Sequence, residues 1–272
     1  MNTRANAIEL AATAIRTADA LLIGAGAGMG VDSGLPDFRG DEGFWKAYPP
    51  FRGRAFAQMS NPRWFAVDPA QAWGFFGHRL HLYRDTMPHE GFAILRRWCE
   101  KMGRGYFVFT SNVDGQFQKA GFPAERVLEC HGSVHFLQCA QPCCTAIWPS
   151  DDVQVTIDMN SIRATTPCPV CPHCQGVARP NLLMFGDWNW ATERYVEQHH
   201  RYRSWLNKMR DARLVAIEMG AGLAIPTVRH ECEQRAHMLI RINPREPGGP
   251  DGCISIAMGA RDALTQIDER LL

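Results

Sequence analysis

Residues 20–30 join an apolar strand to a run of glycines, and that junction narrows the choice of architecture more than any other stretch. Ala20 to Ile23 carries no polar alternation and leads directly into Gly24-Ala25-Gly26-Ala27-Gly28-Met29-Gly30. A strand that is apolar at every position is buried on both faces, as in a parallel sheet covered by helices. Further apolar runs with strand character lie at Tyr106–Thr110, Leu214–Met219 and Met238–Ile242. Helical patterns separate them: Ile8, Ala12, Ile15 and Ala18 share one face of a helix over 5–18, and a second helix is expected over 193–210. Strands alternating with helices predict an α/β fold built on a doubly wound parallel sheet. A glycine-rich strand-to-helix turn lets backbone N–H groups approach a phosphate closely. The spacing is not the strict G-x-G-x-x-G fingerprint, so a tight turn without a ligand is the plain rival reading.

Two segments do not fit the strand–helix alternation. Residues 41–99 are rich in aromatics (Phe44, Trp45, Phe51, Trp64, Trp73, Phe75, Phe76) and show no clear strand, which predicts a helical insert. Six of the ten cysteines fall between 139 and 174, which predicts a cysteine-bearing insert over 139–175. The remaining segments, 1–40, 100–138 and 176–272, are assigned to the large lobe. A net charge of +1 over 272 residues gives no reason to expect a nucleic-acid partner. No apolar run is long enough to span a bilayer, and the N-terminus lacks a signal-peptide core. Cysteine-rich sequence without such a signal points to a reducing compartment, with cytoplasm expected and thiols used for metal rather than disulfides.

Cys139 with Cys143 or Cys144, then Cys171 with Cys174, has the spacing of a tetrahedral zinc site. Three residues separate Cys139 from Cys143 and four separate it from Cys144; both intervals suit zinc, and Cys143 is favoured. Four thiolates close the coordination shell and leave no position for an activated water, so the expected role is structural. An insert held by packing alone is the rival reading, and Cys168 is expected to be spare.

Four blocks in order carry a resemblance to the sirtuins, the NAD-dependent protein deacylases. Gly26-Ala27-Gly28-Met29-Gly30-Val31-Asp32-Ser33-Gly34-Leu35-Pro36-Asp37-Phe38-Arg39 resembles the family signature, with Gly30 in place of a serine. Thr110-Ser111-Asn112-Val113-Asp114-Gly115 resembles Thr-Gln-Asn-Ile-Asp, and Glu129-Cys130-His131-Gly132-Ser133 carries the histidine motif. Ala178-Arg179-Pro180-Asn181-Leu182-Leu183-Met184-Phe185-Gly186-Asp187 resembles the substrate-pairing segment, where Glu is usual at the last position. The resemblance implies a Rossmann-like large lobe, a smaller helical and zinc-binding module, NAD as cofactor, and an acyl-lysine protein or peptide as substrate. It implies His131 as general base, with Asn112 and Asp114 completing the catalytic set. An imidazole suits the role because its ordinary pKa lies near working pH. Cofactor contacts are implied for Gly26, Ala27, Gly28, Asp37, Phe38, Arg39, Ser111, Asn112, Asp114, Gly220, Ala221, Gly222, Asn243 and Ala260. Substrate contacts are implied for Leu183, Phe185, Gly186 and Asp187. The plain rivals are turn formation for Asn112 and Asp114 and a surface ion pair for Asp37 and Arg39.

Three departures bear on activity. Ser111 stands where the family has glutamine, and Gly30 replaces a serine. Gly220-Ala221-Gly222-Leu223 lacks both hydroxyls of Gly-Thr-Ser-Leu. These keep open an NAD glycohydrolase or ADP-ribosyltransferase, and also an NAD- or ADP-ribose-sensing module without turnover. Deacylases that favour acidic acyl groups carry Tyr-x-x-Arg; Phe76-Gly77-His78-Arg79 keeps the arginine alone. Arg79 is therefore either an acyl-chain contact or an ordinary surface residue, and deacetylation is the leading expectation.

Overall fold

The computed structural model describes residues 3–36 and 40–272. In chain order the elements are α1 (Thr3–Arg16), β1 (Ala20–Ala25), α2 (Gly40–Ala47), α3 (Phe56–Met59), α4 (Trp64–Val67), α5 (Pro69–Asp85), α6 (Glu90–Glu100), β2 (Tyr106–Thr110), α7 (Gln116–Lys119), β3 (Val127–Glu129), β4 (Gly132–Cys139), β5 (Ile147–Pro149), β6 (Ile157–Asp158), β7 (Arg163–Ala164), β8 (Ala178–Leu182), α8 (Glu193–Asn207), β9 (Leu214–Met219), α9 (Thr227–Arg235), β10 (Met238–Ile242), β11 (Ile254–Ile256) and α10 (Ala260–Leu271). No described helix is long and apolar enough to cross a membrane.

Six strands form a parallel sheet in the order β11-β10-β9-β1-β2-β3. Its two faces take alternate residues of the same strands, because successive side chains of a strand point to opposite sides. Leu21, Ile23, Val108, Val215 and Ile217 pack on one face with α1, α6 and α10. Ala20, Leu22, Phe107, Phe109 and Ala216 pack on the other against Tyr202 and Trp205 of α8 and Val228 and Cys232 of α9. Two-sided burial is why these strands read as largely apolar runs, with Glu218 of β9 and Arg241 of β10 buried as a pair. The strand order reverses between β1 and β9, and ligands of doubly wound sheets bind outside the carboxyl ends of the strands at such a switch point.

A second core, rich in aromatics, joins the helical insert to a separate antiparallel sheet, β5-β4-β8. Phe44, Tyr48, Phe51, Phe65, Trp73, Phe75 and Phe76 pack there with Val134, Leu137, Ala178 and Leu182. Asp68 caps α5 by accepting from the Gln71 N–H at 3.2 Å, with Pro69 opening the helix. The lobe boundaries therefore differ from the sequence reading at two places. Phe92, Ile94, Leu95 and Trp98 of α6 belong to the core under the parallel sheet, so the helical insert stops before 90 rather than at 99. β4 and β8 sit in the second sheet, so 132–138 and 178–182 pack with the small lobe. An amphipathic helix shows that it has a buried face but not which core receives it, and the same holds for a short strand.

Candidate active site and cysteine centre

A cleft of about 870 Å³ opens at the switch point. Its walls bring together Gly26, Ala27, Ser111, Asn112, Asp114, His131, Gly220, Ala221 and Gly222, all anticipated from sequence, with Arg79, Leu183, Phe185, Gly186 and Asp187. Leu35, Pro36, Tyr83, Trp188 and Ile225 also line it and were not singled out. Asp37, Phe38 and Arg39 lie outside the described residues.

The ends of β1 and β9 are locked edge to edge. Gly26 donates to Met219 O at 2.9 Å and Gly28 to Gly220 O at 3.0 Å. Gly220 has φ +62°, and a Cβ there would fall 2.4 Å from the Gly28 backbone, so only glycine closes this contact. The N–H groups of Gly26 and Gly28 are thus spent on the turn, which differs from the expectation that they meet a phosphate. Gly28 braces the cleft rim and is not part of its lining.

Thr110 organises the next wall. Its hydroxyl donates to Ala25 O and accepts from the Asn112 N–H, each at 3.0 Å, which fixes Asn112 at the end of β2. Asp114 accepts from the Gln116 N–H at 2.9 Å and so also performs the turn chemistry of the rival reading. His135 braces this turn from behind through a 2.9 Å contact between Nε2 and Asp114 O. Burial pushes the Asp114 carboxyl up to about 6. Burial also pulls the His131 imidazole below its ordinary value, against a hydrogen bond to the Ser111 backbone that raises it. His131 is turned into the cleft by Gly132 at φ +77°, where a Cβ would strike Asn181 O at 2.1 Å.

Arg79 is 6% exposed and is not a surface residue. Its Nε and Nη2 donate to the Tyr83 hydroxyl at 3.1 and 2.9 Å, and the rings of Phe56, Phe75, Phe76 and Tyr83 surround the guanidinium at 5.4–5.8 Å. Tyr83, one helical turn beyond Arg79, supplies the hydroxyl that Phe76 lacks. The spacing i, i+4 was available in the sequence as a signal.

Three anticipated contacts do not reach the cleft through their side chains. Asn243 is fully buried: its Nδ2 donates to Ala221 O at 2.9 Å, and its Oδ1 accepts from the Arg245 and Glu246 N–H groups at 3.0 Å. These bonds make Asn243 a support of the loop that starts at Ala221. Ala260 packs into the core at the start of α10. The Asp187 carboxylate is sealed from water and paired with Arg179, so it builds the wall rather than touching a ligand.

The sulfurs of Cys139, Cys143, Cys171 and Cys174 all lie within 4.8 Å of one another. Cys139–Cys174 is 3.6 Å and Cys143–Cys171 3.7 Å, close to the roughly 3.8 Å edge expected of a tetrahedron with Zn–S bonds of about 2.3 Å. Cys144 is not a member of the set, which resolves the choice in favour of Cys143. An all-thiolate tetrahedral donor set suits zinc in a structural role. Cys139 continues β4 and Ala178 opens β8, so the knuckle pins together two paired strands of the small lobe.

Comparison with known proteins agrees with this arrangement. A deacetylase from Saccharolobus solfataricus, named NAD-dependent protein deacetylase, is 33% identical over 162 residues, covering 60% of this chain and 58% of that protein. An Aquifex aeolicus protein named NAD-dependent protein deacylase is 30% identical over 162 residues, covering 60% and 59%. The chain thus spans a little under three-fifths of the length of these relatives in the matched region. Among solved structures, a Sir2 homologue–NAD complex superimposes with a TM-score of 0.72 at 21% identity, covering 97% of this chain and 95% of the other. A Sir2 protein bound to acetylated peptide gives 0.68 at 20% identity, covering 94% and 95%. The family description "Sir2 family" matches residues 26–205, from the glycine turn through the histidine motif, the cysteine centre and most of α8, and on that match the chain belongs to the Sir2 family.

Proposed function

We propose that this chain is an NAD-dependent protein-lysine deacylase acting first of all on acetyl-lysine, releasing nicotinamide and an O-acyl-ADP-ribose. The observation that carries this reading is the convergence of His131, Asn112 and Asp114 on one cleft at the switch point of the parallel sheet. Gly26, Ala27 and Gly220–Gly222 give that end of the cleft a rim almost free of side chains, which fits close approach of a dinucleotide backbone. NAD, when bound, supplies the ribose carbon from which nicotinamide departs and the hydroxyls that receive the acyl group. Asp114 orients the carboxamide, and Asn112, held by Thr110, orients the ribose. His131 takes a ribose hydroxyl proton on the ring nitrogen that the Ser111 backbone leaves free, and its depressed pKa keeps it in the base form at neutral pH. The lining of Leu182, Leu183, Met184 and Phe185 keeps water from the reacting atoms.

The test is nicotinamide release measured with and without an acetyl-lysine peptide. Release that depends on peptide supports deacylation. Equal release without peptide identifies a glycohydrolase or transferase, and NAD binding without release identifies a sensing module.

A second acyl class is supported by one observation. Arg79 lines the cleft beside the Tyr83 hydroxyl, a cation and a donor in a largely apolar pocket, which suits the terminal carboxylate of a succinyl-type chain. Acetyl- and succinyl-lysine peptides of one sequence, assayed side by side, decide between the two.

A further inference from the structure

The mouth of the cleft carries apolar surface that an acyl-lysine does not by itself require. Trp188 is 95% exposed, Ile225 47%, and Leu183 and Phe185 42% each. Single exposed hydrophobic residues are ordinary on a protein surface, but these four line one cleft, the one that holds His131. They come from two loops, 183–188 after β8 and the turn after β9.

The first of these loops is held rigidly. Asp187 accepts from the Met184 N–H at 3.4 Å and the Asn189 N–H at 3.1 Å, so the backbone on both sides of Trp188 is tied to one buried carboxylate. Phe185 donates to Ser60 O, and Asn61 Nδ2 donates to Phe185 O, each at 3.0 Å. The Phe185 ring packs edge-on to Phe56 at 6.2 Å. The indole of Trp188 therefore projects from a fixed backbone with no ring partner among the described residues. A large apolar side chain presented at low entropic cost is the usual anchor of a recognition surface. The loop offers no free charge there, because the Asp187 carboxylate is consumed by Arg179.

We propose that Trp188, with Leu183, Phe185 and Ile225, is a specificity wall that selects acyl-lysine segments bearing a bulky apolar residue next to the modified lysine. The inference rests on the deacylase reading and deepens it. The occupant follows from continuity: a chain that places its acyl-lysine beside His131 must carry the neighbouring residue past the mouth, since consecutive Cα atoms are only about 3.8 Å apart. An aromatic or branched aliphatic side chain covers the indole, whereas a charged one would be desolvated without a partner.

The experiment uses two labelled acetyl-lysine peptides that differ only in the flanking residues, leucine or aspartate, read by fluorescence anisotropy and by nicotinamide release. The apolar peptide is expected to bind about ten-fold more tightly to the unmodified protein. Trp188→Ala is expected to erase that preference and Trp188→Phe to retain most of it, with the effect on KM larger than on kcat. Because Trp188 is almost fully exposed, its removal leaves the fold intact, which the thermal transition checks. An equal preference in Trp188→Ala, or none in the unmodified protein, overturns the inference. Sedimentation showing a concentration-dependent dimer that Trp188→Ala abolishes would assign the wall to a second copy and overturn it as well. Absence of turnover with the binding preference intact would sink the deacylase reading and leave the wall standing.

Discussion

Asp187 and Arg179 meet in a two-pronged ion pair, at 2.7 and 2.9 Å, with 0% and 1% of their side chains reaching water. The pair fastens the end of β8 to the loop that forms the cleft wall, and Asp187 further accepts from the Met184 and Asn189 N–H groups. Removing one member of such a pair leaves a buried charge uncompensated, which costs about 3–5 kcal/mol. Asp187→Ala is expected to lower stability by that amount in urea unfolding, and to lower peptide affinity through the displaced wall. A change within about 0.5 kcal/mol would show that the pair contributes little.

Asp114 sets function against stability. Burial raises its carboxyl from the ordinary 3.8 to about 6. A folded-state pKa above the unfolded one means that the neutral form is favoured on folding, so stability is full below the unfolded pKa and declines as pH rises through the folded one. At neutral pH the ionised group therefore costs about 3 kcal/mol of stability. Asp114→Asn keeps an acceptor for the Gln116 N–H and carries no charge. It is expected to be more stable than the unmodified protein near pH 7.5, by an amount that shrinks toward zero near pH 4, while its nicotinamide release collapses. Denaturant unfolding at the two pH values measures the difference; a gap that is constant with pH would contradict it.

His131 and Asp114 are both expected to shape the acid limb of the rate. Burial holds the His131 imidazole below the ordinary 6.5, so the base form persists through neutrality and is lost only at lower pH. Rates of acyl removal should be flat from neutral pH upward, and the part of the acid limb that belongs to His131 should lie below the ordinary imidazole value. His131→Ala is expected to reduce deacylation by about 10²–10⁴-fold while NAD affinity, measured by calorimetry, stays within a few-fold. Unchanged turnover would remove His131 from the role of base.

The two adjacent cysteines provide a sharp discrimination. Cys143→Ser should lose tight zinc binding and lower the thermal transition, since the metal closes the knuckle and its binding energy is folding energy. Cys144→Ser should retain one zinc per chain, because Cys144 is outside the four-sulfur set. Metal analysis after dialysis reads both, and equal zinc content in the two variants would contradict the assignment.

The buried network around Glu218 shows what holds the hydroxyl-free loop after β9. Glu218 is 0% exposed and pairs with Arg241 at 2.7 Å, and Arg241 also reaches Glu233 at 2.6 Å. Arg229 donates to Ala221 O at 3.1 Å and also to Glu246 O. These arginines tie the 221–223 and 246–248 segments together by backbone carbonyls. The shape of the loop thus comes from the residues beneath it, although Thr and Ser are missing from its own sequence.

The parallel sheet was legible in the sequence because β1, β2, β9 and β10 are buried on both faces and are apolar at most positions, with the paired Glu218 and Arg241 as the charged exceptions, and a local pattern records such burial directly. The motif order carried His131, Asn112 and Asp114 to one place for a similar reason: each follows the carboxyl end of a strand. Tertiary structure alone decided the rest. Whether α6 faces the large or the small core depends on a partner, α10, that lies far along the chain. Asp187 has a polar side chain like that of a ligand contact, and only its hydrogen-bond partners in the folded chain show that both carboxylate oxygens are already engaged. Arg79 became a cleft residue through the helix face on which Tyr83 also sits, and Cys143 was separated from Cys144 by sulfur–sulfur distance. Sequence records what a residue can donate, accept or bury; the folded chain determines which of those capacities are already spent.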